Sequence, residues 1–277
     1  MSLDLCAETL RAQDPDRFGI CLLAPAAARP KLLTLYALNL ELARAPLASA
    51  EPLIAEMRLQ WWVERLEAIA EGKPQAHELL GPLAEAWGPR AGALVTLAEP
   101  RRRDALREPH DGPDAVAAYV RGTAVPLAAF AAEAPGWSEA SDPSDAGGFT
   151  PPDPRGVFEK QRKLSVPAIA AQAEGVGLAH WLAALPALQG LGLGLWDPSP
   201  EALAQIAGLA QARLAEARQM RRGVPRRLAP ILFPGAGIKA VLAAAPKGIE
   251  ALAAAQPSEF RKRLALMRFA LTHRWWS

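Results

Sequence analysis

Paired carboxylates, histidines and glycine-flanked lysines are the residues of this sequence whose types and spacing bear on chemistry. Two carboxylates four residues apart share a helix face and can hold a divalent cation against a diphosphate. Glu67 with Glu71 and Asp104 with Glu108 have that spacing. The first pair continues a polar stripe through Glu56, Gln60 and Glu64, and the second lies between an arginine run and Pro109. Both read as solvated faces rather than metal sites. His77, His110, His180 and His273 are scattered, with no H-E-x-x-H and no Cys/His cluster. His180, set in an apolar stretch, reads as a core residue. There is no G-x-S-x-G. GLGLGLW (190–196) follows a helical pattern rather than a strand, and FPGAGIKA (233–240) lacks the spacing and the Ser/Thr of a phosphate loop. Cys6 and Cys21 fit no metal spacing, and such sparse cysteine suits a reducing compartment. No catalytic residue and no metal ligand is assigned on these grounds.

What remains is YALNLELARAPL, residues 36–47, an apolar helix carrying Asn39 and Glu41. Polar groups in such a helix need partners. Either they face a pocket or a protein partner, or Asn39 hydrogen-bonds across to a neighbouring helix.

The elements that must position these residues are helical. Leucine and alanine far outnumber valine and isoleucine, and no alternating run marks a strand. The spacing predicts helices over 5–13, 25–45, 51–71, 75–87, 90–107, 113–134, 157–189, 200–222, 226–244 and 258–275, with Pro or Gly at most junctions. In 51–71, Ala55, Leu59, Trp62, Leu66 and Ile69 form one buried stripe. Trp61 lies ~100° away from Trp62 and is placed to stack on Arg58 or Arg65. The final helix, capped by Ser258, has an apolar stripe of Phe260, Leu264, Met267 and Leu271. Its basic residues, with Trp275 and Trp276, suit a membrane interface or an acidic partner, and docking of that stripe on the core is the competing expectation. No nucleic-acid recognition motif accompanies the basic residues.

Residues 137–156 are polar and Pro/Gly-rich, and are expected to form a flexible loop within one domain spanning 1–277. The net charge of +2 conceals a basic C-terminal third, 13 Lys/Arg against 4 Asp/Glu from residue 201 on. That favours an anionic surface or an acidic partner, or else attraction within the fold. Asp4 and Glu8 sit where a secretory leader would be basic and then apolar, so no leader is expected. The uncharged stretch between Glu174 and Asp197 is long enough to cross a bilayer at ~20 residues. Its Pro186 and glycines instead predict a buried helix ending near Pro186, then a loop.

Several blocks together are recognisable. Asp16-Arg17-Phe18, Ala24-Pro25 through Arg29-Pro30, Leu35-Tyr36-Ala-Leu-Asn39 and Glu56-Met-Arg58-Leu-Gln60-Trp61-Trp62 resemble the squalene/phytoene synthase family. Tyr119 with Thr123-Ala124, and Gly177-Leu178 through Pro186, resemble later helices of that family. The resemblance implies an all-α, single-domain helical bundle of the trans-isoprenyl diphosphate synthase type, with a central cavity. Family members join two prenyl diphosphates head to head, using two Asp-x-x-x-Asp motifs on facing helices to hold Mg²⁺.

Counting from Tyr36, the first aspartate pair falls at Ala43 and Leu47, and the second near Ala184 and Leu188. Glu41 lies two residues off, ~200° round the helix, and cannot replace a ligand at 43. The pattern resembles instead a subgroup, the mitochondrial complex I assembly factor and its bacterial relatives, matched by Asn39, Glu41, Arg58, Gln60 and Trp61. The implied protein is non-catalytic and cofactor-free, with a ligand or partner pocket around Arg17, Arg29, Tyr36, Asn39, Glu41, Arg58, Gln60 and Trp61. Its membrane or acidic-partner surface would comprise Arg261, Lys262, Arg268, Trp275 and Trp276. Its partners would be an isoprenoid or other lipid, a respiratory-complex subunit and a membrane surface. It would be cytoplasmic and peripheral on the inner membrane. The alternative is a Mg²⁺-dependent prenyltransferase with atypical ligands.

Overall fold

Apolar residues recurring at helical spacing must pair their faces, and the chain does so by packing helix on helix. The computed structural model describes residues 3–136 and 157–276, the side chains of 157–164 excepted. The expected loop at 137–156 lies outside the described residues. Eleven α-helices are described: α1 (Leu3–Gln13), α2 (Pro15–Leu23), α3 (Arg29–Arg44), α4 (Pro52–Ala70), α5 (Leu80–Trp87), α6 (Pro113–Glu133), α7 (Val157–Gly190), α8 (Pro200–Gln219), α9 (Ile238–Ala244), α10 (Ile249–Ala254) and α11 (Glu259–Thr272). No strand occurs among the described residues, only an isolated bridge between His110 and Leu195.

Local chemistry fixes several starts. Asp14 caps α2, its side chain accepting from the Arg17 amide, with Pro15 at the first turn. The spacing predicts a helix over 5–13 and none between there and 25, so α2, started by this cap, is an element that periodicity alone does not give. Ser258 caps α11 as expected, accepting from the Arg261 amide. Elsewhere the expected boundaries shift. Residues 88–105 form two 3₁₀ segments, broken by Pro89 and Pro100, rather than an α-helix. The span 226–244 becomes two short 3₁₀ turns and α9. Conversely, α7 runs straight through Pro186 to Gly190. An interior proline costs about 3 kcal/mol, which the flanking Leu182 and Leu185, both fully buried, outweigh.

Two layers result. α3 is enclosed by α1, α2, α5 and α6, while α7 packs along α6 and α8. The α4 stripe is buried as expected, with Trp62 inside and Trp61 half-exposed beneath Arg65. α6 is long and apolar enough to cross a membrane by length and composition alone; in the fold its Val116, Val120, Leu127 and Phe130 are core residues.

Close approach of α7 to its neighbours depends on two glycines. A Cβ at Gly177 would lie 2.6 Å from Val120 Cγ1, and one at Gly175 would lie 3.0 Å from the Ala210 carbonyl oxygen. Gly177→Leu is therefore expected to lower stability by about 1–3 kcal/mol in urea unfolding. Gly208→Ala on α8, which meets open space, should instead raise it by about 0.4–1 kcal/mol. Equal midpoints for the two variants would contradict this packing.

Candidate functional site: a central cavity and a buried arginine network

A cavity of about 600 Å³ lies between α2, α3, α6, α7 and α11, within the ~300–1,000 Å³ range of small-molecule sites. Its apolar wall comes from α6 and α7, through Ala124, Leu127, Ala128, Val176, Ala183 and Ala184. Its polar groups come from the start of α2 (Asp14, Asp16, Arg17), from Gln172 and His180 of α7, and from Lys262 of α11.

The α2 cap builds the polar end. Arg17 Nη1 donates to Asp14 Oδ2 at 2.7 Å, and its guanidinium lies 5.5 Å from the Tyr36 ring centroid. Burial pushes the Tyr36 phenol well above its usual range. Asp16 is also raised, mainly by desolvation and then by Asp14, with Lys262 pulling the other way. Lys262 Nζ pairs with Glu259 at 2.8 Å. His180 is exposed to the cavity space and surrounded by protein on its other sides. Desolvation therefore lowers its pKa, and the nearby Arg17 adds to the effect. Gly235, at φ +79°, brings the 233–237 loop against this group. A Cβ there would stand 3.4 Å from Asp16 Oδ2 and 3.6 Å from His180 Nε2.

The squalene/phytoene synthase family model matches residues 10–148. This chain belongs to that family. The crystal structure of squalene synthase HpnC from Alicyclobacillus acidocaldarius shares the fold at TM-score 0.61 and 17% identity, over 91% of this chain and 92% of that one. A dehydrosqualene synthase crystallised with a ligand does so at TM-score 0.56 and 11% identity, over 96% and 94%. No curated protein sequence matches significantly.

Magnesium implied by the family can be tested against the donors present. A hard cation needs several oxygens, and a diphosphate centre draws them from facing helices. Here the lining carboxylates among the described residues are Asp14 and Asp16, both at the start of α2, and Asp14 is engaged by Arg17. Ala184, near which the second motif is expected from the sequence, lines the cavity with a methyl group. No group of three or more His, Cys, Asp or Glu side chains fit to hold a metal occurs among the described residues. This donor set does not fit a magnesium–diphosphate centre.

The residues expected to form one pocket are dispersed through the fold. Arg17 and Tyr36 line the cavity. Arg29 instead reaches back to the end of α2, donating to the Leu22 carbonyl at 3.0 Å. Asn39 and Gln60 hold an arginine run: Arg101 donates to Asn39 Oδ1 and Arg102 to Gln60 Oε1, each at 2.9 Å. Glu41 lies 3.9 Å from Arg44, and Arg58 is exposed. Trp61 packs on Trp62 and His77. Of the expected surface residues, Trp275 is only 2% exposed and belongs to the core. Lys262 turns inward to the cavity rim, while Arg261 and Arg268 are exposed. Spacing missed Asp14, Asp16 and His180 as cavity residues. The Asp-Pro-Asp-Arg cap signature at 14–17 was the available signal; nothing distinguished His180 from a packed histidine.

The arginine run leads into a second buried network. Tyr119 donates to Asp104 Oδ2 at 2.7 Å, and the Arg103 guanidinium lies 2.8 Å from His110 Nε2. A permanent cation at that nitrogen leaves it to accept, so the proton sits on Nδ1. Burial, and then Arg103, depress the His110 pKa from 6.5 to about 4. The sign follows: the unfolded chain binds the proton first, so stability is full above pH 6.5 and is lost as pH falls toward about 4. His110→Gln should flatten the unfolding midpoint across that window; an unchanged slope would contradict the assignment. Asn39→Ala leaves Arg101 without its oxygen and should cost about 1–3 kcal/mol in urea unfolding.

Proposed function

We propose that this protein is a non-catalytic member of the squalene/phytoene synthase family, binding an isoprenoid or related lipid in its central cavity. We place it as a lipid- or partner-binding factor in biogenesis of respiratory complex I at the membrane. The observation that carries this is the cavity's inventory: Arg17 and Lys262 with the two α2 carboxylates at one end, an apolar wall along the rest and, among the described residues, no carboxylate from any other turn. Arg17 and Lys262 supply charge for an anionic head, and neutral His180 and the Tyr36 phenol supply hydrogen bonds. Alanine-lined walls leave room for a chain whose burial is worth ~0.8 kcal/mol per methylene. That two proteins sharing this fold are named squalene synthase and dehydrosqualene synthase supports an isoprenoid as the ligand. The pattern at Asn39, Glu41, Arg58, Gln60 and Trp61 supports the assembly-factor role.

One observation favours a second function, a Mg²⁺-dependent head-to-head prenyltransferase with atypical ligands: Asp14 and Asp16 both reach the cavity. Calorimetric titration with a farnesyl thiodiphosphate separates the two. The non-catalytic protein binds equally in Mg²⁺ and in EDTA, weakens about tenfold or more on Arg17→Met, and releases no diphosphate from farnesyl diphosphate. Metal-dependent affinity with diphosphate release makes it an enzyme. A deletion strain should assemble less NADH:quinone oxidoreductase; normal assembly would remove the biogenesis role.

A further inference from the structure

The last helix is docked by the face opposite its apolar stripe. α11 meets the protein through Lys262 at the cavity, Leu266 against Gly19, and Phe269 against Phe233 at 4.7 Å between ring centroids. The stripe Phe260, Leu264, Met267 and Leu271 lies two residues along from that face, ~200° round the helix. It points outward, at 74%, 45%, 57% and 78% exposure. Docking of this stripe on the core, the competing sequence expectation, is thus corrected: aromatic packing of Phe269 and Trp275 takes the inner face instead.

Arg261 and Arg268 flank the stripe on one side and Arg263 on the other, all three exposed. On the Arg261 and Arg268 side the surface falls into a second cavity of about 800 Å³. Among the described residues, its lining includes Arg218, Lys239, Arg261, Arg268 and Arg274 and no Asp or Glu. Among the described residues no carboxylate pairs with Arg218, Lys239, Arg261 or Arg268. The floor is apolar, with Leu242, Phe269 and Trp275. A narrow apolar ridge, bordered by arginines and beside a cationic, apolar-floored groove, matches the layers of an anionic bilayer. Side chains enter at the acyl boundary while guanidinium groups remain with the phosphates.

We propose that α11 and this groove form a docking site for anionic phospholipid bilayers, the stripe inserting shallowly and Arg218, Lys239, Arg261 and Arg268 taking the headgroup phosphates. The cationic groove matches the phosphate layer of such a bilayer in charge, and the exposed apolar stripe beside it matches the acyl boundary beneath that layer. The site lies on a different face from the polar end of the central cavity and does not depend on the ligand proposed there.

Flotation of the full chain with vesicles tests it. Vesicles of phosphatidylcholine with phosphatidylglycerol should carry the protein, and phosphatidylcholine alone should not. Arg261→Glu with Arg268→Glu should weaken binding roughly tenfold or more, as should Phe260→Ser with Leu271→Ser. All four positions are exposed, and unchanged helical circular dichroism will show that the variants fold. Retained prenyl-analogue binding by the same variants separates failure here from failure of the cavity ligand. Equal binding to both vesicles, or loss to soluble glycerol phosphate as competitor, would overturn a bilayer site. A dimer dispersed by Met267→Asp, with no flotation, would put a second copy on this face and overturn it as well.

Discussion

A helix buried on every side must satisfy its polar groups from within the protein, and α3 is such a helix. Residues 32–39 and Leu42 are all buried. Its three polar side chains in that run each recruit a different neighbour. Thr34 donates to the Pro30 carbonyl and accepts from the Trp87 indole. Tyr36 takes the Arg17 guanidinium over its ring, which brings the start of α2 to the cavity. Asn39 accepts from Arg101, which ties the 3₁₀ segment to the core and carries with it the Asp104–Tyr119 and Arg103–His110 pairs. An unpaired polar group at these depths costs about 1–3 kcal/mol. The arrangement of α2, α5 and the arginine run around α3 follows from meeting those three demands.

The second organising element is the wall between the two cavities. Gln172, buried on α7, donates to the Leu232 carbonyl and toward the Trp275 carbonyl. Together with Phe233 and Gly235 it lines both spaces. One amide thus holds α7, the 231–235 loop and the C-terminal turn together. The central cavity receives a mixed set of charges, whereas the charged residues lining the outer groove, among the described residues, are all cations. The basic excess of the C-terminal third is therefore turned largely outward, around α8, α9 and α11, although Arg213 pairs inward with Glu174.

Where one physical rule governed an element, the sequence was legible. The α4 stripe, the Ser258 cap and the all-helical class follow from period and capping alone, and each is present. Elements set by tertiary demands were not. Pro186 does not end α7, because Leu182 and Leu185 in the turn before it are fully buried, while prolines near 88–105 do convert an α-helix to 3₁₀ turns. An apolar stripe says that a face wants cover but not which surface covers it, which is why the α11 stripe was expected on the core. Asn39 and Gln60 share a sequence pattern with Tyr36 and Arg17 but not a pocket, because the pattern does not show that the 101–103 arginines arrive on the other side. His180 looked like a packed histidine, and only Gly235 and Asp16, distant in sequence, reveal it as part of a cavity.

The central claim is electrostatic: an anionic isoprenoid head would be met in this cavity by Arg17 and Lys262, not by a cation bridge. The most direct measurement is a crystal structure with a prenyl thiodiphosphate and Mn²⁺, read by anomalous scattering. The account predicts phosphate oxygens within hydrogen-bond distance of Arg17 and Lys262 and no manganese peak in the cavity. A manganese peak held by Asp14 and Asp16 and bridging to the diphosphate would contradict it.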